Sequence, residues 1–134
     1  MAIEHINPPE LMKPAGYSHM VAASGGKTVY LAGQGPYDGN AELVGASDLR
    51  AQTKQTVSNL LVALKAAGAV PEDLVKLNIY IVGLDSTALR SFLDGVMDAT
   101  DGEGLPVTAS TMVGVERLAW DGMLVEIEGI AVVA

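Results

Sequence analysis

The sequence predicts an α+β fold in the order β-β-α-β-α-β-β, one mixed sheet with two helices on one of its faces. Two observations predict it. Two segments repeat apolar residues at steps of three or four, the helical period, and short strand-like runs surround and separate them. Turn formers, chiefly Gly, Pro, Asn and Asp, punctuate the intervals between these segments.

Residues 1–16 carry Pro8, Pro9, Pro14 and Gly16 and read as a lead-in arm rather than a packed element. Ser18 to Ser24 is the first strand. Gly25-Gly26-Lys27 reads as a hairpin turn, since two glycines supply the positive φ such turns need. Thr28 to Gly33 is the second strand, and Gly35 to Gly45 is a loop with Pro36 and Asp38-Gly39-Asn40. Ser47 or Asp48 caps the first helix, where Leu49, Thr53, Val57, Leu60, Leu61 and Leu64 make an apolar face. Gly68 stops it and Pro71 follows, for a length of about 20 residues, or about 30 Å. Val75 to Val82 alternates Val75, Leu77, Ile79 and Ile81 and predicts a strand with one buried face. Asp85 or Ser86 caps the second helix, with Leu89, Phe92, Leu93, Val96 and Met97 at helical spacing, and Thr100 to Gly104 is a polar loop. Thr108 to Leu118 and Met123 to Val133 are the last two strands, with Asp121-Gly122 as the turn between them.

No repeat, low-complexity stretch or linker divides the 134 residues, so residues 1–134 read as one domain. Helices on one sheet face leave the other without a third layer. Oligomerisation is the expected cover if that face is apolar.

Composition narrows the function classes. A formal net charge of -8, with no basic patch, argues against a nucleic-acid partner. There is no cysteine, which excludes disulfides, thiolate metal sites and thiol nucleophiles. His5 and His19 are too few and too far apart to suggest a metal site. The N-terminus lacks a basic region followed by an apolar stretch, and no apolar run reaches membrane-spanning length. A cytoplasmic protein without membrane attachment is the expectation.

Several residues are candidates for chemistry. Glu126 and Glu128 lie two apart in a strand and so share a face. They read either as a solvated or salt-bridged strand face, or as a carboxylate that holds a water or moves a proton. Gly33-Gln34-Gly35-Pro36 either exposes backbone N–H groups to a ligand or simply turns the strand end. It is neither a P-loop nor a dinucleotide fingerprint. Tyr17 either stacks on a ligand or anchors the arm. Ser110 and Thr111 can offer hydrogen bonds to a cleft, and Met112 reads as core packing. Neither histidine sits in a nucleophile-elbow context.

These residues also carry a resemblance. Pro14-Ala15-Gly16-Tyr17-Ser18-His19 and Tyr30-Leu31-Ala32-Gly33-Gln34 come first, then Glu42-Leu43-Val44-Gly45, Gln52-x-x-Gln55 and Asn59-Leu60. Ala66 to Ala69, Asp73 to Lys76 and Ile79-Tyr80 follow, and then Val113-Gly114-Val115, Leu118 and Val125 to Val132. Together they resemble the reactive intermediate deaminase (Rid) superfamily, also called YjgF or endoribonuclease L-PSP-like, from about Pro14 to Val133.

The resemblance implies a chorismate mutase-like fold and a homotrimer whose sheets form a central barrel. It implies a small-molecule ligand in a cleft between subunits and no cofactor or metal. Deaminase members of the family hydrolyse enamines or imines made by pyridoxal-phosphate enzymes, releasing ammonia and a keto acid. Glu126 matches the family's water-positioning glutamate, Tyr17 its cleft tyrosine, and Gly33 its backbone group after the second strand. The arginine that clamps the substrate carboxylate falls at Ser110, and a serine cannot supply that positive fork. The position two beyond, often a cysteine or small residue in the family, is Met112 here, and an asparagine of the second helix falls near Ser91.

Three functions follow as expectations. One is an enzyme acting on a non-standard imine or enamine through Glu126, with Arg90 or Arg117 open as substitutes for the missing clamp. Another is a non-catalytic trimer that binds a metabolite, with Ser110 and Thr111 as neutral donors. The third is an endoribonuclease, against which the acidic balance and the missing histidine pair both argue.

Overall fold

The two periodic segments are helices, α1 (Leu49–Ala66) and α2 (Ser86–Ala99), in the computed structural model, which describes residues 1–134. Their starts are fixed by aspartates. Asp48 accepts a hydrogen bond from the Ala51 N–H, and Asp85 from the Ala88 N–H, each satisfying one donor that the first turn leaves unpaired. Gly68, at φ 74°, follows the end of α1 in the left-handed conformation glycine tolerates best. The strands are β1 (Ala2–Ile6), β2 (Met20–Ser24), β3 (Lys27–Gln34), β4 (Leu74–Val82), β5 (Ala109–Val115) and β6 (Val125–Val133). The expected order is present, with one further strand at its front.

The main sheet has the order β3-β6-β4-β5. The β3–β6 and β4–β6 pairs are antiparallel and β4–β5 is parallel, so the sheet is mixed. Two expected hairpins are corrected by this pairing. Gly25 and Gly26 do adopt positive φ, 70° and 69°, but β2 pairs with β1 while β3 pairs with β6. The strands flanking Asp121-Gly122 do not pair either, because β6 inserts between β3 and β4 while β5 lies at the edge. Its long-range partners outcompete the local turn. β5 also ends at Val115, short of the expected Leu118.

The lead-in is packed where it was expected to run free. β1 pairs antiparallel with β2 from Ala2↔Ser24 to Ile6↔Met20. His5 Nδ1 and Ser18 Oγ share a hydrogen bond of 2.8 Å, and the Ser18 N–H donates to the Thr108 carbonyl at 2.9 Å.

Both helices lie on the sheet face formed by Leu77, Ile79 and Ile81 of β4 and Val125, Ile127 and Ala131 of β6, which join Val57, Leu60, Leu64, Phe92 and Val96 in one core. Each large side chain buried there contributes about 1.5–3 kcal/mol. Gly95 lets α2 approach α1 closely, since a Cβ there would lie 2.6 Å from the Arg50 carbonyl oxygen. The Arg50 guanidinium adds a two-pronged contact to Asp98, at 2.7 and 2.9 Å. The opposite sheet face carries Tyr30, 78% exposed, with Asn78, Tyr80, Glu126 and Glu128.

Candidate functional site

Strand alternation divides the candidate residues between the two sheet faces. In β6, Val125 and Ile127 point to the core, so Glu126 and Glu128 point to the open face. Register sets Glu126 opposite Tyr80 and Glu128 opposite Asn78 on β4. Strict alternation from the buried Leu31 would turn Gly33 of β3 toward the core, but a register shift between Leu31 and Gln34 brings it to the open face, where a Cβ would overlap the Glu126 carboxylate. The missing side chain therefore makes room for this carboxylate.

The two glutamates are not equivalent. Glu128 Oε1 accepts hydrogen bonds from the Tyr80 hydroxyl at 2.5 Å and from Asn78 Nδ2 at 3.3 Å. The hydrogen bond to Glu128 raises the Tyr80 pKa, with burial adding to it. The Glu126 carboxylate takes no comparable partner from this chain. Burial, followed by the neighbouring charge of Glu128, pushes its pKa above the ordinary glutamate value. A half-buried carboxylate with raised basicity and open coordination can hold a water and take its proton.

Ser110 and Met112 face the other way. Register sets them beside Leu77 and Ile79 of β4, on the helix side. There they line a cleft of about 590 Å³ between α2, the β4–β5 edge and the segment from Glu103 to Val107. Tyr17 stands at the same cleft, held by its neighbour Ser18 and by an edge-on contact with His19 at 5.4 Å between ring centres. The Ser110 hydroxyl donates to the Thr108 carbonyl at 3.3 Å.

Thr111 does not join Ser110. As its neighbour along the strand it projects to the open face, where its Oγ1 accepts from Lys76 Nζ at 3.0 Å. The expected pair of donors into one cleft is thus split across the sheet. Neither open arginine lines the cleft. Arg117 is engaged with Asp121 at 3.0 Å and with the Leu118 carbonyl, in the β5–β6 connection.

The cleft also includes residues not singled out as site residues from sequence. Leu89, Leu93 and Met97, counted there in the apolar face of the second helix, are 38%, 49% and 46% exposed and form one wall. The signal was an apolar stripe wider than α1 alone can cover. The role of Tyr80 and Asn78 as partners of Glu128 depends on inter-strand register, which local pattern does not give.

Residues 9–133 match the family described as Endoribonuclease L-PSP. A RutC family protein of Pyrococcus abyssi is 34% identical, over 98% of this chain and 98% of its own length. A 2-iminobutanoate/2-iminopropanoate deaminase of Dermatophagoides farinae is 31% identical, over 96% of this chain and 94% of that protein. The crystal structure of the Rid-family protein YyfB from Yersinia pestis is 37% identical and superposes with a TM-score of 0.86, covering 99% of this chain and all of that one.

Proposed function

This chain belongs to the endoribonuclease L-PSP family of the Rid/YjgF superfamily, and from that premise we propose that it hydrolyses imines or enamines with Glu126 as the group that handles water. The observation that carries the reading is the contrast between the two glutamates. Glu128 is tied to Tyr80 and Asn78, while Glu126 is free, half-buried and raised in pKa. The deaminase name of one relative gives the same direction.

The chemistry needs little else. Glu126 accepts a proton from water as the water oxygen bonds to the imine carbon. The π electrons pass to nitrogen, which takes up a proton from solvent, giving a carbinolamine. Glu126 returns its proton to the nitrogen, the C–N bond breaks as the carbinolamine hydroxyl gives its proton to solvent, and a carbonyl compound and ammonia leave. A carboxyl with raised pKa suits a group that must both take and return a proton.

One chain holds Glu126 and the Tyr17–Ser110 cleft on opposite sheet faces. A closed ring of copies resolves this separation, because a heterologous contact sets one copy's open face against its neighbour's cleft. The proposal therefore includes a homotrimer with its site between copies. Ser110 stands where deaminase relatives of this family are expected to carry an arginine, so the substrate is proposed to lack the usual carboxylate.

The test is ammonia release from short-lived imines, generated in place by a pyridoxal-phosphate dehydratase or an amine or amino-acid oxidase. Wild type is expected to accelerate release, and Glu126→Gln to lose about a hundredfold or more of that acceleration. Equal rates with both proteins would remove Glu126 from the mechanism. Metabolite binding without turnover is the second reading. It is favoured by Ser110, which offers the cleft a neutral hydroxyl rather than a charged clamp.

A further inference from the structure

The cleft beside α2 has a chemical character of its own. Its volume of about 590 Å³ suits a small molecule, and twelve of its seventeen lining residues are apolar. Leu89, Leu93 and Met97, at four-residue spacing on α2, line it without being buried by the core. Leu77 and Ile79 line it from β4. Glu103 is the one charged side chain that borders it, and no lysine or arginine does.

These features act together on a ligand's charge. An anionic group in the cleft would meet a carboxylate and no cation from the chain that forms it, at the cost of its own desolvation. A cationic group would meet Glu103, within a chain whose net charge of -8 attracts cations at long range. The apolar wall needs an apolar body of matching size.

We infer that this cleft selects a ligand with an apolar body and a neutral or positively charged nitrogen head, an amine-derived imine or iminium without a carboxylate. Only the reactivity of that nitrogen rests on the hydrolase reading above; the binding preference rests on the cleft. Ser110, in the edge strand β5, then acts as a neutral partner to the nitrogen head rather than as a clamp.

The test is calorimetric titration of the full chain with n-hexylamine, 1-hexanol and hexanoate, three probes of similar length and different charge. The amine is expected to bind most tightly and hexanoate most weakly. The amine should exceed the alcohol by about threefold to fivefold, the scale of an exposed ion pair. Lengthening the amine from butyl to hexyl should tighten binding by about fourfold per methylene. Glu103→Gln, at an exposed position that leaves the fold intact, should narrow the gap between amine and alcohol. Ser110→Arg should move the preference to hexanoate.

Hexanoate binding as tightly as hexylamine would overturn the inference, as would an amine preference unchanged in Glu103→Gln. So would no binding of any probe at millimolar concentration. Binding in the expected order with no imine turned over leaves the inference standing and removes the hydrolase reading. Equally fast hydrolysis of carboxylated and carboxylate-free imines does the reverse.

Discussion

Glu126 and Glu128 differ by two positions in one strand, and their separate behaviour comes from what stands opposite. Tyr80 and Asn78 hold Glu128, and the Glu128 charge in turn helps to raise the Glu126 pKa. Activity that needs ionised Glu126 is lost as pH falls through that raised pKa. Glu128→Gln removes the charge contribution, so the acid limb of the kcat/KM profile should move to lower pH. An unmoved limb would separate the two carboxylates. At Gly33, alanine would overlap only the far end of the flexible Glu126 side chain. Gly33→Ala should therefore keep its melting temperature within a few degrees of wild type, as for a cost of under about 1 kcal/mol. It should nonetheless lose turnover, because the carboxylate must move aside. At this scale the sequence showed that the two glutamates share a face, since alternation alone requires it. The same alternation separates Ser110 from Thr111, so the strand period alone sends them to opposite faces. Which glutamate is tied was not legible, because its partners lie 48 and 50 residues away in the chain.

Among the elements, α1 does more than cover the sheet. Its buried Gln52 donates to the Gly45 and Gly122 carbonyls at 3.2 and 2.9 Å and accepts from the Leu124 N–H at 2.8 Å. One side chain thus pins the loop before α1 to the turn that leads into β6, the strand carrying Glu126. Gln52→Leu fills the volume but leaves these backbone groups unpaired, so urea unfolding should show a loss of about 2–3 kcal/mol. No loss would mean that water replaces the amide. Helix starts and stops were legible because capping and periodicity are local. The hairpins were misassigned because turn glycines fix backbone angles, not strand partners. β6 carries apolar residues on its core face that are best buried in the centre of the sheet, and that placement decides the pairing. β1 escaped notice because prolines follow it and its five residues carry no clear alternation.

For the molecule as a whole, the helices and the core occupy one side of the sheet and the Glu126 carboxylate the other. The fold class was legible from element order, and the family from motifs spread along nearly the whole chain. The split of the site was not, because it is a property of sheet topology. The central claim is that the open face of one copy and the cleft of the next make one site. Co-expression of Glu126→Gln with Leu93→Arg tests it most directly, the first disabling the carboxylate and the second filling the cleft. Each variant alone should be inactive in imine hydrolysis. Their mixed oligomers should recover about a quarter of the wild-type rate, the chance that a random contact joins an intact face to an intact cleft. Activity no higher than the mean of the two parents would contradict a site shared between copies and confine the chemistry to one face of a single chain.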